Sequence, residues 1–168
     1  TLSSSSAASD VYKRQVHPGG RHRPGQRTRG QHMSALVDSA RKYLGVPFRH
    51  RGRSASGLDC AGLGWIAYRD LGIELPDVRA YGREPFKNGL MEGLRAALGD
   101  PVDDGPLPGD VVVMRFDKDP HHVALIARAP YADQLTMIHA DSMHGCVVEH
   151  RLSDDWRARI VAVYRRPV

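Results

Sequence analysis

An α+β fold is what this sequence predicts, and three observations predict it. Helix-type apolar spacing recurs between residues 35 and 98, strand-type runs follow from residue 110, and Gly, Pro and Asp punctuate those runs at short intervals. Helices that come first and strands that follow pack as N-terminal helices against a mainly antiparallel sheet, here of five or six strands.

Ser34 is placed to cap a helix over about 35–44, with Leu36, Ala40 and Leu44 on one face. Gly45 and Pro47 stop it, and 49–57 reads as a loop rich in Arg, Ser and Gly. Asp59 caps a second helix over about 60–71, with Leu63, Ala67 and Leu71 at helical spacing, closed by Gly72 and Pro76. Residues 77–88 read as loop and 89–98 as a third helix. Pro106, Pro108 and Gly109 form a turn. Strands are then expected over 110–116, 122–128, 134–139, 145–151 and 159–165, with a polar turn over 117–120.

Charge divides the chain. Residues 1–32 hold six Lys or Arg and one acid, whereas the remainder holds 18 of each sign. The basic balance therefore belongs to the leader, and a nucleic-acid-binding face on the folded part is not indicated. The leader is Ser-rich, then rich in Gly, Pro, Arg and His, with almost no apolar periodicity, so it cannot bury enough surface to order itself. It is expected to be disordered and non-native, a tag, a translation artefact or a read-through; a functional basic tail is the alternative. The domain proper is expected over 33–168. No signal-peptide core and no membrane-spanning run is legible, which argues against membrane insertion.

Two cysteines lie far apart, Cys60 and Cys146. A disulfide framework is not expected in a domain of this size. Cys60, in Ser-Gly-Leu-Asp-Cys-Ala-Gly-Leu, falls in the first turn of the second helix. Unpaired N–H groups and the positive end of the helix dipole favour the thiolate there. Gly62 and Gly64 clear space just beyond it. A buried structural cysteine is the competing reading. Cys146, within a strand, reads as sheet packing.

A nucleophilic cysteine needs a neutral imidazole and a third group to orient it. His122 begins an apolar strand and His139 ends the next, so a hairpin can set them side by side. His121 alternates to the other face and is the alternative base. His17, His22 and His32 fall in the leader, while His50, His144 and His150 read as loop or surface residues. No HExxH or paired CxxC occurs, so neither a metal nor another cofactor is expected.

Four segments, in order, carry a resemblance over about 35–164: "ARKYLGVPFRHRG", "SGLDCAGLGWIAYRDLGIELP", "PLPGDVVVMRF" followed by "HHVALIA", and "MIHADS". Together they resemble the NlpC-type cell-wall cysteine peptidases, a papain-like family. The resemblance implies Cys60 as nucleophile, His122 as base and His139 as orienting residue. It implies hydrolysis of peptidoglycan stem peptides, often at the D-γ-glutamyl–diamino-acid bond. The approach loop looks most like the phage-tail and prophage branch, which implies tail proteins as partners, synthesis in the cytoplasm and action at the bacterial cell wall. Around the substrate it points to Phe48, Asp59, Ala61, Arg79 and Tyr81. Phe48 stands where the family usually has Tyr, His50-Arg51 replaces a common Trp-Gly pair, and Ala61 stands where Ser is frequent. Asp59 is a helix cap or also touches a substrate amine; Arg79 and Tyr81 line the cleft or belong to a solvated loop. Competing readings are a degenerate tail module and another acyl chemistry on the same fold.

Overall fold

The computed structural model describes residues 29–77 and 89–166, with side chains from Ala35 onward. Helix α1 spans Arg29–Arg41, α2 Cys60–Arg69 and α3 Leu90–Leu98. A small hairpin, β1 (Arg53–Ser54) and β2 (Gly57–Leu58), precedes α2. Strands β3 (Val111–Phe116), β4 (Asp119–Arg128), β5 (Leu135–Asp141), β6 (Cys146–Arg151) and β7 (Ile160–Tyr164) form one antiparallel sheet in the order β6-β5-β4-β3-β7. A single-turn helix, α4 (Asp154–Arg157), sits between β6 and β7. The α+β architecture with five strands is as the sequence predicts.

Four differences stand out. Helix α1 begins at Arg29, so it runs through Ser34 and across the boundary expected at Met33. The loop expected over 49–57 contains the β1–β2 hairpin. Strand β4 begins at Asp119, because Asp117 adopts a left-handed φ of 60° and turns the chain in two residues. Helix α4 was not foreseen, although Ser153 caps it through the Trp156 N–H, with Asp154 and Asp155 in its first turn.

Alternation along the strands builds two cores. On one face Val113, Val123, Leu125, Ile138 and Ala140 pack against Leu36, Ala40, Leu63, Ile66 and Leu98 of the first three helices. On the other face Val112, Met114, Ala124, Ile126 and Met137 pack with Leu152, and Trp156 of α4 packs against them. Both faces are thus covered, which explains why β3 is buried at four consecutive positions. Helix α1 is tied to the sheet by Arg41, whose guanidinium donates to both Glu149 oxygens at 2.9 and 2.8 Å and to the Arg128 carbonyl at 2.7 Å.

Candidate active site

Cys60 opens α2 because Asp59 stops the preceding chain. Asp59 is extended and its Oδ1 accepts the Gly62 N–H at 2.7 Å. The same carboxylate accepts Arg53 Nη1 at 2.9 Å and the Arg51 N–H at 2.7 Å, and Arg53 Nε reaches Asp77 at 2.8 Å. Asp59 is only 2% exposed. Its oxygens serve the helix cap, the Arg53 ion pair and the approach loop. Arg53, which nothing in the sequence patterning marks, is therefore the partner that lets a carboxylate be buried beside the cysteine. Arg51 holds a left-handed φ of 58° where the family resemblance has Gly.

Cys60 is half-buried and faces a cleft of about 840 Å³ lined also by Phe48, His50, Asp59, Phe116, His121, His122 and Trp156. The N–H groups of Val123 and Ala61 point at its sulfur. Those donors and Arg53 favour the thiolate, but burial and the Asp59 carboxylate outweigh them and push the thiol up to about 11. The helix start thus favours the thiolate as expected, while burial and the Asp59 charge, which are tertiary effects, favour the thiol more strongly.

His122 comes from the other face of the sheet. The paired register between β4 and β5 ends at Leu125 and Ile138, so the strands part before His122 and His139. There the rings take over, with His122 Nε2 2.7 Å from His139 Nδ1. A third imidazole continues the series: His139 Nε2 is 2.8 Å from His150 Nε2, and His150 Nδ1 is 2.9 Å from the Arg151 carbonyl. His150 is therefore no loop or surface bystander. The β5–β6 register pairs it with Met137, which puts it on the same face as His139. Trp156 lies 5.8 Å from His139 and 5.6 Å from His150, and Phe116 lies 5.5 Å from His122, between ring centroids. These rings keep water from His122 and His139, both of which are buried. Burial lowers His122 to about 4, and burial followed by the neighbouring His122 lowers His139 to about 3. Both are neutral at pH 7.

The other residues singled out from sequence are distributed differently. Phe48 and Asp59 line the Cys60 cleft, as does His121. Ala61 lines a separate, apolar cavity of about 60 Å³ between α2 and α3, with Trp65, Leu94 and Val111, and not the cleft. The helical turn aims successive side chains about 100° apart, and this offset turns Ala61 towards α3 while Cys60 faces the cleft. Arg79 and Tyr81 lie outside the described residues. Asp141 and His144, joined by a hydrogen bond, form the lip of the cleft with Ser142 and Met143. Cys146 is half-buried and pairs with Asp141 across β5 and β6. Among the described residues, no three His, Cys, Asp or Glu side chains are grouped to hold a metal ion, and no helix is long and apolar enough to cross a membrane.

Helices on an antiparallel sheet, with a cysteine at a helix start and histidines on the strands opposite, define a papain-like α+β domain. The chain belongs to the NlpC/P60 family, whose model matches residues 45–165; that family comprises cysteine peptidases and cell-wall hydrolases. Its fold is similar to that of an NlpC/P60 family protein from Bacillus cereus ATCC 10987, at 24% identity and a TM-score of 0.58, covering 81% of this chain and 40% of that one. It is also similar to the NlpC/p60 domain of the peptidoglycan hydrolase SagA, at 21% identity and a TM-score of 0.54, covering 79% and 97%. A third similar structure is an N-acetylmuramoyl-L-alanine amidase from Bacteroides uniformis ATCC 8492, at 14% identity and a TM-score of 0.51, covering 80% and 97%. The chain thus spans less than half of the Bacillus cereus protein. No curated protein matches it.

Proposed function

We propose that this chain is a cysteine endopeptidase that hydrolyses amide bonds in peptidoglycan stem peptides. The observation that carries this reading is the placement of Cys60 and His122 in one cleft, with His122 Nε2 engaged by His139 at 2.7 Å. That engagement leaves His122 Nδ1 for the thiol.

The resting pair is thiol and neutral imidazole, so the first step is general-base catalysis. His122 Nδ1 takes the Cys60 proton as the sulfur attacks the substrate carbonyl. The oxyanion accepts from the Cys60 N–H, which no described group occupies; one such donor is worth about 3 kcal/mol. The imidazolium returns its proton to the leaving amine as the C–N bond breaks, giving a thioester. His122 then deprotonates a water that attacks the thioester, and collapse releases the acid and restores the thiol. The D-γ-glutamyl–diamino-acid bond is the target that the sequence resemblance favours. The approach loop Pro47-Phe48-Arg49-His50 supports a setting in a phage tail or prophage, with manufacture in the cytoplasm and action at the bacterial wall.

Incubation of the parent and a Cys60→Ala variant with muropeptides, read by mass spectrometry, tests the reading. Cleavage by the parent alone is expected and identifies the bond. Cleavage by neither folded protein overturns it in favour of a tail module.

A further inference from the structure

We infer that His150 is a positioning residue that fixes the proton polarity of the whole imidazole series, and through it which nitrogen of His122 is free to act as base. This rests on the proposed cysteine chemistry for its consequence, and on hydrogen-bond geometry alone for its content.

The backbone at Arg151 sets the series, which runs inward from there. The Arg151 carbonyl can only accept, so His150 Nδ1 carries a hydrogen. A neutral His150 then has a bare Nε2, which must accept from His139 Nε2–H at 2.8 Å. Neutral His139 is left with a bare Nδ1, which must accept from His122 Nε2–H at 2.7 Å. Neutral His122 is left with a bare Nδ1, the nitrogen needed to receive the thiol proton. Each tautomer follows from its neighbour, and the first is set by a peptide group that cannot reverse. The burial of His122 and His139 makes the series strict, because each ring has little water with which to satisfy a misplaced hydrogen.

The converse identifies the residue on which the polarity turns. A group at position 150 that can only donate forces His139 Nε2 to accept, His139 Nδ1–H to donate and His122 Nε2 to accept. The hydrogen of His122 then sits on Nδ1, the nitrogen the proposed mechanism gives to the thiol proton, and the base is blocked.

Two variants separate polarity from mere packing. In His150→Gln, the amide donates to the Arg151 carbonyl and its Oε1 accepts from His139, so the native polarity is kept. In His150→Lys, the ammonium only donates. Imidazole tautomers are read by long-range ¹H–¹⁵N correlation, together with kcat and KM on muropeptides and the iodoacetamide rate at Cys60, located by peptide mapping. The parent and His150→Gln are expected to carry hydrogen on Nε2 of both His122 and His139, with kcat within about threefold of each other. His150→Lys is expected to move both hydrogens to Nδ1 and to lower kcat at least about 100-fold at unchanged KM; a wholly wrong tautomer in a serine protease costs about 10⁴. Unchanged tautomers and kcat in His150→Lys, or an equal loss in His150→Gln, would overturn the inference. Should the parent cleave no muropeptide, the tautomers and the alkylation rate still decide on His150, so that its failure and that of the peptidase reading are told apart.

Discussion

His122 Nε2 and His139 Nδ1 meet at 2.7 Å with their ring planes at 85°, at a point where the backbone pairing of their strands has already stopped. A side-chain bond thus holds the end of the sheet together while keeping it open enough for Cys60 to approach from the helical side. Rings that are buried, neutral and hydrogen-bonded in this way give the protein a definite response to acid.

Activity is expected to need neutral His122. Because burial lowers that group to about 4, kcat/KM should rise as pH passes through about 4 and stay level to neutrality. A pH–rate profile checks this. An acid limb at the ordinary histidine value of 6.5 would contradict the burial of the ring.

Stability should respond over a related window. The unfolded chain binds protons on both histidines near 6.5, whereas the folded chain binds them only near 4 and 3. Between those values the unfolded state holds more protons, so stability is complete above pH 6.5 and is lost as pH falls through the window. Urea midpoints between pH 7 and pH 4 should fall in that order, and less steeply in a His139→Gln variant.

Trp156→Ala should raise the acid limb. Its indole packs on His139 and His150 and stands edge-on to Phe116, 5.8 Å away between centroids. Removing it admits water to the imidazoles, so the His122 and His139 values move up towards 6.5. Activity near pH 5 is then expected to drop several-fold more than activity at pH 7.

Gly62→Ala should destabilise despite removing a helical glycine. A Cβ there would lie 2.1 Å from the Gly52 carbonyl oxygen and 2.7 Å from Arg53 Nη1. The clash must move either α2 or the buried Arg53–Asp59 pair, at about 1–3 kcal/mol, more than the roughly 1 kcal/mol that Ala gains over Gly in a helix. Thermal denaturation with a lowered Tm is the expected result.

Asp110→Ala should cost about 3 kcal/mol, the low end for breaking a buried pair, because Arg165 keeps other partners. The carboxylate is wholly buried, accepts Arg165 Nε at 2.9 Å and Nη2 at 2.8 Å, and takes the Leu107 N–H at 2.7 Å. Its loss leaves the Arg165 guanidinium, on a side chain only 10% exposed, with just the exposed Asp104 carboxylate at 3.0 Å and the Gly105 carbonyl at 3.1 Å. Chemical denaturation measures the change.

Much of this architecture is legible in the sequence because its signals are local. The Asp59 cap, the spacing of Leu63 and Ala67, and the apolar strands between Gly, Pro and Asp turns are all short-range patterns. What escaped depends on register. Period-two alternation places His150 on a face with Val148, but only the Met137–His150 pairing says that this is the face of His139. Pro120 read as a turn residue because proline cannot donate to a ladder; it is tolerated in β4 at a register shift opposite Arg115. The resting thiol was equally hidden, since helix position suggests a thiolate while the desolvation and the Asp59 charge that overrule it are tertiary facts. Helix α4 alone had a usable local mark, the Ser-Asp-Asp run at 153–155.

The approach loop also has a part to play at the rim of the sheet. Gly45 donates to the Val147 carbonyl, Val147 donates to Val46, and Phe48 donates to Gly145, so residues 45–48 lie along the outer side of β6. At the opposite rim Val102 donates to Val163 of β7. Exposed sheet rims invite strands from other molecules, and here stretches of the same chain occupy part of each. An intruding strand at β6 would have to displace the segment that carries Phe48. Resistance to aggregation and an intact substrate cleft therefore depend on one set of backbone hydrogen bonds, and a change that loosens the loop should impair both together.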